Sequence, residues 1–107
     1  MLFDVRTYET KVGGLNPQLQ LYEKYGREVQ YKYLGEPVFF GVAETGELNT
    51  FTHIWAYANA DDREQKRTAL FSDPEWLTYM SETAEHGFLI KMTNKLMNQA
   101  PFFEYKR

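Results

Sequence analysis

The run Phe51-Thr52-His53-Ile54-Trp55-Ala56-Tyr57 constrains this chain more than any other segment, because it alternates like a β-strand and is largely apolar on both sides. One side carries Thr52, Ile54 and Ala56; the other carries Phe51, His53, Trp55 and Tyr57. A strand greasy on both faces needs a sheet that is covered on both faces. Small aliphatic groups suit helix packing, so the Thr52 side is expected to meet helices. The aromatic side is expected to need another cover.

The rest of the chain supplies the sheet and the helices. Residues 2 to 9 alternate, with Phe3, Val5 and Thr7 on one side and Leu2, Asp4, Arg6 and Tyr8 on the other, so they form a first strand. Gly13-Gly14 breaks it, and Asn16-Pro17 offers an N-cap followed by proline at the first helical position. Leu15, Leu19, Tyr22, Gly26 and Val29 then follow at helical steps, predicting a helix to about residue 31. A second strand over roughly 33 to 44 and a third over roughly 48 to 58 enclose Thr45-Gly46-Glu47 as a hairpin turn. Gly41 inside the second strand marks a bulge or a close approach of backbone. Asn59 or Asp61 caps the next helix, Asp73-Pro74 restarts it, and Gly87 ends it. Phe88 to Met97 alternates again as a fourth strand, and the aromatic tail after Ala100 is expected to dock. The order β-α-β-β-α-β predicts an α+β fold: a four-stranded antiparallel sheet with both helices on one face.

At 107 residues the chain supports one core, since a domain of this size buries roughly 65% of its unfolded surface; one domain over residues 1–107 is expected. With 43% hydrophobic, 17% aromatic and 25% charged residues it reads as a compact soluble globule, neither disordered nor membrane-embedded. The absence of cysteine removes disulfides, thiolate catalysis and cysteine-based metal sites. A formal charge of −3 disfavours nucleic acid, and the basic cluster Arg63, Lys66 and Arg67 is mixed with Asp61, Asp62 and Glu64 as on a solvated helix face. The first residues show no export signal, and the longest apolar stretch, Val38 to Ala43, is too short to span a bilayer. A cytoplasmic location is expected, with no membrane and no nucleic-acid partner.

Two helices cover one face of four strands, so the aromatic face calls for a second copy, sheet against sheet, in a two-fold homodimer. Such a dimer would enclose a cavity between the sheets, lined by Arg6, Tyr8, His53, Trp55 and Tyr57. His53 among aromatics serves as a ligand anchor, an orienting donor or a general base; alternatively it is a hydrogen-bonded core histidine. Arg6 supplies a fixed positive charge for a ligand carboxylate or enolate, or else pairs with Asp4, Glu104 or a carboxylate of the second subunit. Both tryptophans read as core, and of the two Trp55 is the one expected to touch a ligand, because its strand face also holds His53; His86 beside Gly87 reads as a helix-end cation. The two histidines lack metal-ligand spacing, so neither a metal nor another cofactor is expected. Neither histidine alone excludes haem.

Arg6-Thr7-Tyr8, Lys11-Val12-Gly13, Leu48-Asn49, His53-Ile54-Trp55-Ala56-Tyr57, Asp62-Arg63, Asp73-Pro74-Glu75-Trp76 and Pro101-Phe102 resemble the NIPSNAP family, in that order and at similar spacing. The resemblance covers nearly the whole chain and implies the dimeric α/β-barrel form of the ferredoxin-like fold. Val12 departs from it, since the family commonly has proline there. The resemblance implies no reaction and no catalytic residue. The leading expectation is therefore a homodimer that binds a small aromatic or acidic molecule. A cofactor-free monooxygenase-like or isomerase-like enzyme and a non-catalytic interaction module are the alternatives.

Overall fold

A computed structural model describes residues 1–106. Four strands, β1 (Leu2–Thr10), β2 (Phe39–Val42), β3 (Thr50–Tyr57) and β4 (Leu89–Asn98), form one antiparallel sheet in the order β2-β3-β1-β4. The helices are α1 (Leu15–Leu21), α2 (Arg27–Leu34), α3 (Ala60–Phe71) and α4 (Pro74–His86). A π-helical turn, Tyr22–Gly26, joins α1 to α2. Counting α1–α2 and α3–α4 as two helical units gives the ferredoxin-like βαββαβ order. No helix among the described residues is long and apolar enough to cross a membrane.

Local chemistry accounts for most boundaries. Asn59 accepts a hydrogen bond from the Asp62 amide at 2.8 Å, and the Asp62 carboxylate accepts one from the Ala58 amide at 2.9 Å, so α3 starts on a reciprocal cap. Asp73 accepts from the Glu75 amide at 2.8 Å ahead of Pro74, and Gly87 ends α4 at φ 63°. The first helix begins two residues earlier than the Asn16 cap predicts, with Gly14 in the cap position. The Gly14 amide closes a turn on the Lys11 carbonyl at 2.8 Å, and the turn runs straight into Leu15 without a side-chain cap. Pro17 still falls in the first turn, where its missing N–H leaves no bond unmade. The second strand is shorter than predicted, because Tyr33 and Leu34 complete α2, with Leu34 in the core. Gly41 keeps strand register and is a close approach instead of a bulge, since a Cβ there would overlap the Phe39 ring.

The faces of the sheet are the reverse of the expected ones. Trp55 and Tyr57 are fully buried in a core with Tyr22, Val29, Leu34, Leu70, Trp76 and Tyr79, so the aromatic side of β3 is the one the helices cover. Thr52, Ile54 and Ala56, with Thr7, Val5 and Phe3 opposite them in that order, lie on the uncovered side, and all but Ala56 are only half-buried. The physical reason lies in the helices, whose inward stripes carry Tyr22, Trp76 and Tyr79, and large rings interleave with large rings. Of the aromatic tail, Tyr105 docks edge-on against Phe3 at 5.4 Å, while Phe102 is 91% exposed.

Candidate functional site

Cross-strand register brings the site together. Arg6 on β1 lies opposite His53 on β3, which lies opposite Phe40 on β2; the neighbouring row is Tyr8, Phe51 and Val42. These side chains stand on the helix-facing side. The rings of Tyr8, Phe51, His53 and Phe40 form a nearly parallel floor: His53 lies 4.8 Å from Phe40 at 17° and 5.1 Å from Tyr8 at 15°. Tyr22, Trp76 and Tyr79 form the roof. Between floor and roof is a cavity of about 320 Å³, whose walls also include Gln30, Arg67, Phe71, Met80, Thr83 and Met92. It lies inside one chain, between its sheet and its helices. The chamber expected between two sheets does not have these walls, because Arg6, His53, Trp55 and Tyr57 point toward the helices.

His53 is held by its strand neighbour. The Trp55 indole N–H donates to His53 Nδ1 at 2.5 Å, so Nδ1 is the acceptor and Nε2 carries the hydrogen of the neutral ring. Burial, reinforced by the positive charge of Arg6, pushes the His53 pKa down to about 3. At neutral pH the residue is therefore an uncharged donor.

A charged cluster adjoins the cavity, which it reaches through Arg6 and Arg67. Asp4, fully buried, accepts from Arg6 at 3.2 Å, Arg63 at 3.1 Å and Asn94 at 3.0 Å. Burial alone would raise its pKa, but the Asn94 hydrogen bond and the two guanidiniums hold it below the ordinary carboxylate value. Arg6 also donates to the Tyr8 hydroxyl at 3.0 Å. Arg67 has no carboxylate partner among the described residues, and its guanidinium lies 5.1 Å from the centre of the Phe71 ring. Burial and the like charge of Arg6 push its pKa down. Among the described residues no group of His, Asp and Glu is placed to hold a metal ion.

The polar remainder comes from the helices. The Tyr22 hydroxyl donates to Gln30, and Gln18 donates to the Tyr79 hydroxyl at 2.9 Å and to Thr83 at 3.3 Å. Burial raises the pKa of both Tyr22 and Tyr79, so both are neutral donors.

Arg6, Tyr8 and His53, expected from sequence, all line the cavity; Trp55 and Tyr57 do not, and are fully buried in the core. Of the two tryptophans, Trp76 and not Trp55 is in the wall. Arg63 and Arg67 are not on a solvated face. Their spacing from Leu70, which is fully buried, was the available signal, since positions 63, 67 and 70 share one side of a helix. Lys66, one position off, does pair outward with Asp62 at 3.2 Å. His86 is a helix-end residue as expected, its Nδ1 3.0 Å from the Glu82 carbonyl.

Comparison with known proteins agrees with this architecture. The NIPSNAP family model matches residues 3–104. A NipSnap homolog of Dictyostelium discoideum is 32% identical over 82 residues, covering 77% of this chain and 36% of that protein. The chain thus spans about a third of the length of the curated relatives it matches. A crystal structure of a NIPSNAP family protein with unknown function from Agrobacterium tumefaciens superimposes with a TM-score of 0.87 at 35% identity, covering 96% of this chain and 91% of that one. A putative antibiotic biosynthesis monooxygenase from Nitrosomonas europaea shares the fold alone, with a TM-score of 0.66 at 10% identity over 92% of this chain and 98% of that one.

Proposed function

The chain belongs to the NIPSNAP family, and from that membership we propose that it is a homodimeric binding protein for a small aromatic or acidic molecule, held inside each protomer between sheet and helices. The observation that carries this reading is the cavity itself. Its walls are aromatic, and a few polar groups converge on it: the His53 Nε2–H, the two guanidiniums of Arg6 and Arg67, and the Tyr8 hydroxyl. Aromatic walls give affinity through burial, and convergent donors give orientation. A cavity of about 320 Å³ is at the small end of ligand sites, which favours metabolite-sized molecules of one or two rings.

Saturation-transfer NMR against a library of aromatic acids and phenols tests it, with Met80→Trp as the blocking variant. Met80 lies in the wall and is 40% exposed, so an indole there obstructs the opening. Hits are expected with the natural chain and lost with Met80→Trp. Equal binding by both would move the site elsewhere.

An oxygenase-like or isomerase-like enzyme is the second reading. The supporting observation is an uncharged imidazole N–H beside a fixed guanidinium, which together can stabilise an oxyanion formed on a bound phenol or ketone. Oxygen uptake with a phenol and quinol panel separates turnover from binding.

A further inference from the structure

Three guanidiniums, Arg6, Arg63 and Arg67, lie within electrostatic reach of a single carboxylate, Asp4, and two of them, Arg6 and Arg67, line the cavity. Asp4 is already engaged by Arg6, Arg63 and Asn94. Arg67 is left over. Its surroundings are the Phe71 ring, the Tyr57 hydroxyl, the like charges of Arg6 and Arg63 and, more weakly, the Asp4 carboxylate that those two already engage. The chain as a whole carries a net charge of −3, so this local excess of positive charge runs against its overall composition. A half-buried guanidinium with no ion pair of its own is costly unless an anion comes to it. The acidic side chains of α3 do not serve: Asp62 is bonded to Lys66 and the Ala58 amide, Asp61 to Gln65, and Glu64 is exposed and makes no ion pair with Arg67.

What lies next to Arg67 decides the rest of the ligand. The rings of His53, Tyr8, Phe40 and Phe51 stack on one another across the strands, with centroids 4.8–6.2 Å apart, and so turn their edges toward the cavity. Trp76 and Tyr79 stand over it in the roof. Ring edges lining a cavity pack edge-to-face against a flat aromatic group and gain little from a compact inorganic ion. We propose that the natural occupant is a planar aromatic carboxylate, its anionic group docked on Arg67 and its ring lying between floor and roof. The His53 N–H, in the same cavity, donates to a carboxylate oxygen or to a ring hydroxyl next to it. Recognition is bidentate where the carboxylate lies in the guanidinium plane. This inference rests on the binding function proposed above and adds the class of ligand.

Three probes of one shape separate the two claims: 2-naphthoate, 2-naphthalenemethanol and 2-naphthylmethylammonium, each titrated into the full chain by calorimetry near neutral pH. The expected order is naphthoate tightest, the alcohol at least about tenfold weaker, and the ammonium weakest, as unlike, absent and like charge at Arg67 require. Arg67→Gln is expected to bring naphthoate down to the alcohol's level, while Arg67→Lys restores much of the preference. The lysine variant keeps the test decisive if the glutamine variant fails to fold. An alcohol or ammonium that binds as well as naphthoate overturns the anion assignment and leaves the binding reading standing. If none of the three binds, the binding reading goes, and this assignment with it.

Discussion

The Trp55 indole N–H donates to Nδ1 of His53, two residues earlier on the same side of β3, and so fixes which nitrogen of the imidazole carries hydrogen. A ring held as an acceptor on Nδ1 within an apolar floor has little to gain from a second proton. Its pKa is lowered from 6.5 to about 3, chiefly by burial and secondarily by Arg6. Between those two values the unfolded chain binds a proton that the folded chain does not. Stability from this group is therefore complete above pH 6.5 and erodes as pH falls toward 3, at no more than about 1.4 kcal/mol per pH unit. Urea titrations from pH 7 down to about 4.5, above the Asp4 range, are expected to show this slope, and His53→Gln is expected to flatten it. A natural chain with no slope there would mean that the imidazole is not buried neutral.

Asp4 is the hinge of the arginine cluster, and removing it leaves two guanidiniums facing each other. Asp4→Ala strips the counter-charge from Arg6 and Arg63 and an acceptor from Asn94. Breaking a fully buried pair costs about 3–5 kcal/mol. Arg6 and Arg63 retain 16% and 23% of their side-chain exposure, so water partly replaces the lost partner, and a loss of about 2–3 kcal/mol is expected in urea unfolding. A loss under about 0.5 kcal/mol would mean that the cluster is solvated.

The fold was legible in the sequence because its boundaries are written in local chemistry. Asn59, Asp73-Pro74 and Gly87 act within one helical turn, and the alternation of β1 and β3 placed Arg6, Tyr8 and His53 on one side, as their register has it. Which side met the helices was not legible. Both sides of β3 are apolar, and preference for small residues under helices is weaker than the demand of Tyr22, Trp76 and Tyr79 for rings to pack against. Asp4 and Arg6 deepened the ambiguity, since a carboxylate and a guanidinium look outward until Arg63 and Asn94 are seen to complete them. The cavity follows from two layers of large side chains that do not close on each other, a property of tertiary packing with no local signature.

Gly26 ends the π-helical turn at the roof of the site. A Cβ there would lie 3.0 Å from Tyr79 Cγ and 3.1 Å from Tyr22 Cδ1. Alanine would gain about 1 kcal/mol of helix propensity. The contact is with the base of the Tyr79 ring, which cannot swing aside as a chain end would, and overpacking of this kind costs about 1–3 kcal/mol. Gly26→Ala is expected to lower stability by about 1 kcal/mol net and to shift both tyrosines, read as a changed near-ultraviolet dichroism spectrum. A stabilised variant would show that the roof is loosely packed.

The sheet face away from the helices is where the proposed second copy belongs. Phe39, Ile54 and Val5 form one row across it, and Phe3 and Met97 another pair; Phe39 is 53% and Met97 51% exposed in the single chain. Pairing this face with its two-fold copy would bury the row against itself, whereas Lys at position 54 would set two ammonium groups close together at its centre. Sedimentation velocity at micromolar concentration is expected to give twice the chain mass of 12.7 kDa for the natural sequence and the single mass for Ile54→Lys. Because the cavity opens on the other side of the sheet, the monomeric variant is expected to keep its ligand affinity within a few-fold. A natural chain that sediments at the single mass removes the homodimer and leaves the cavity reading intact.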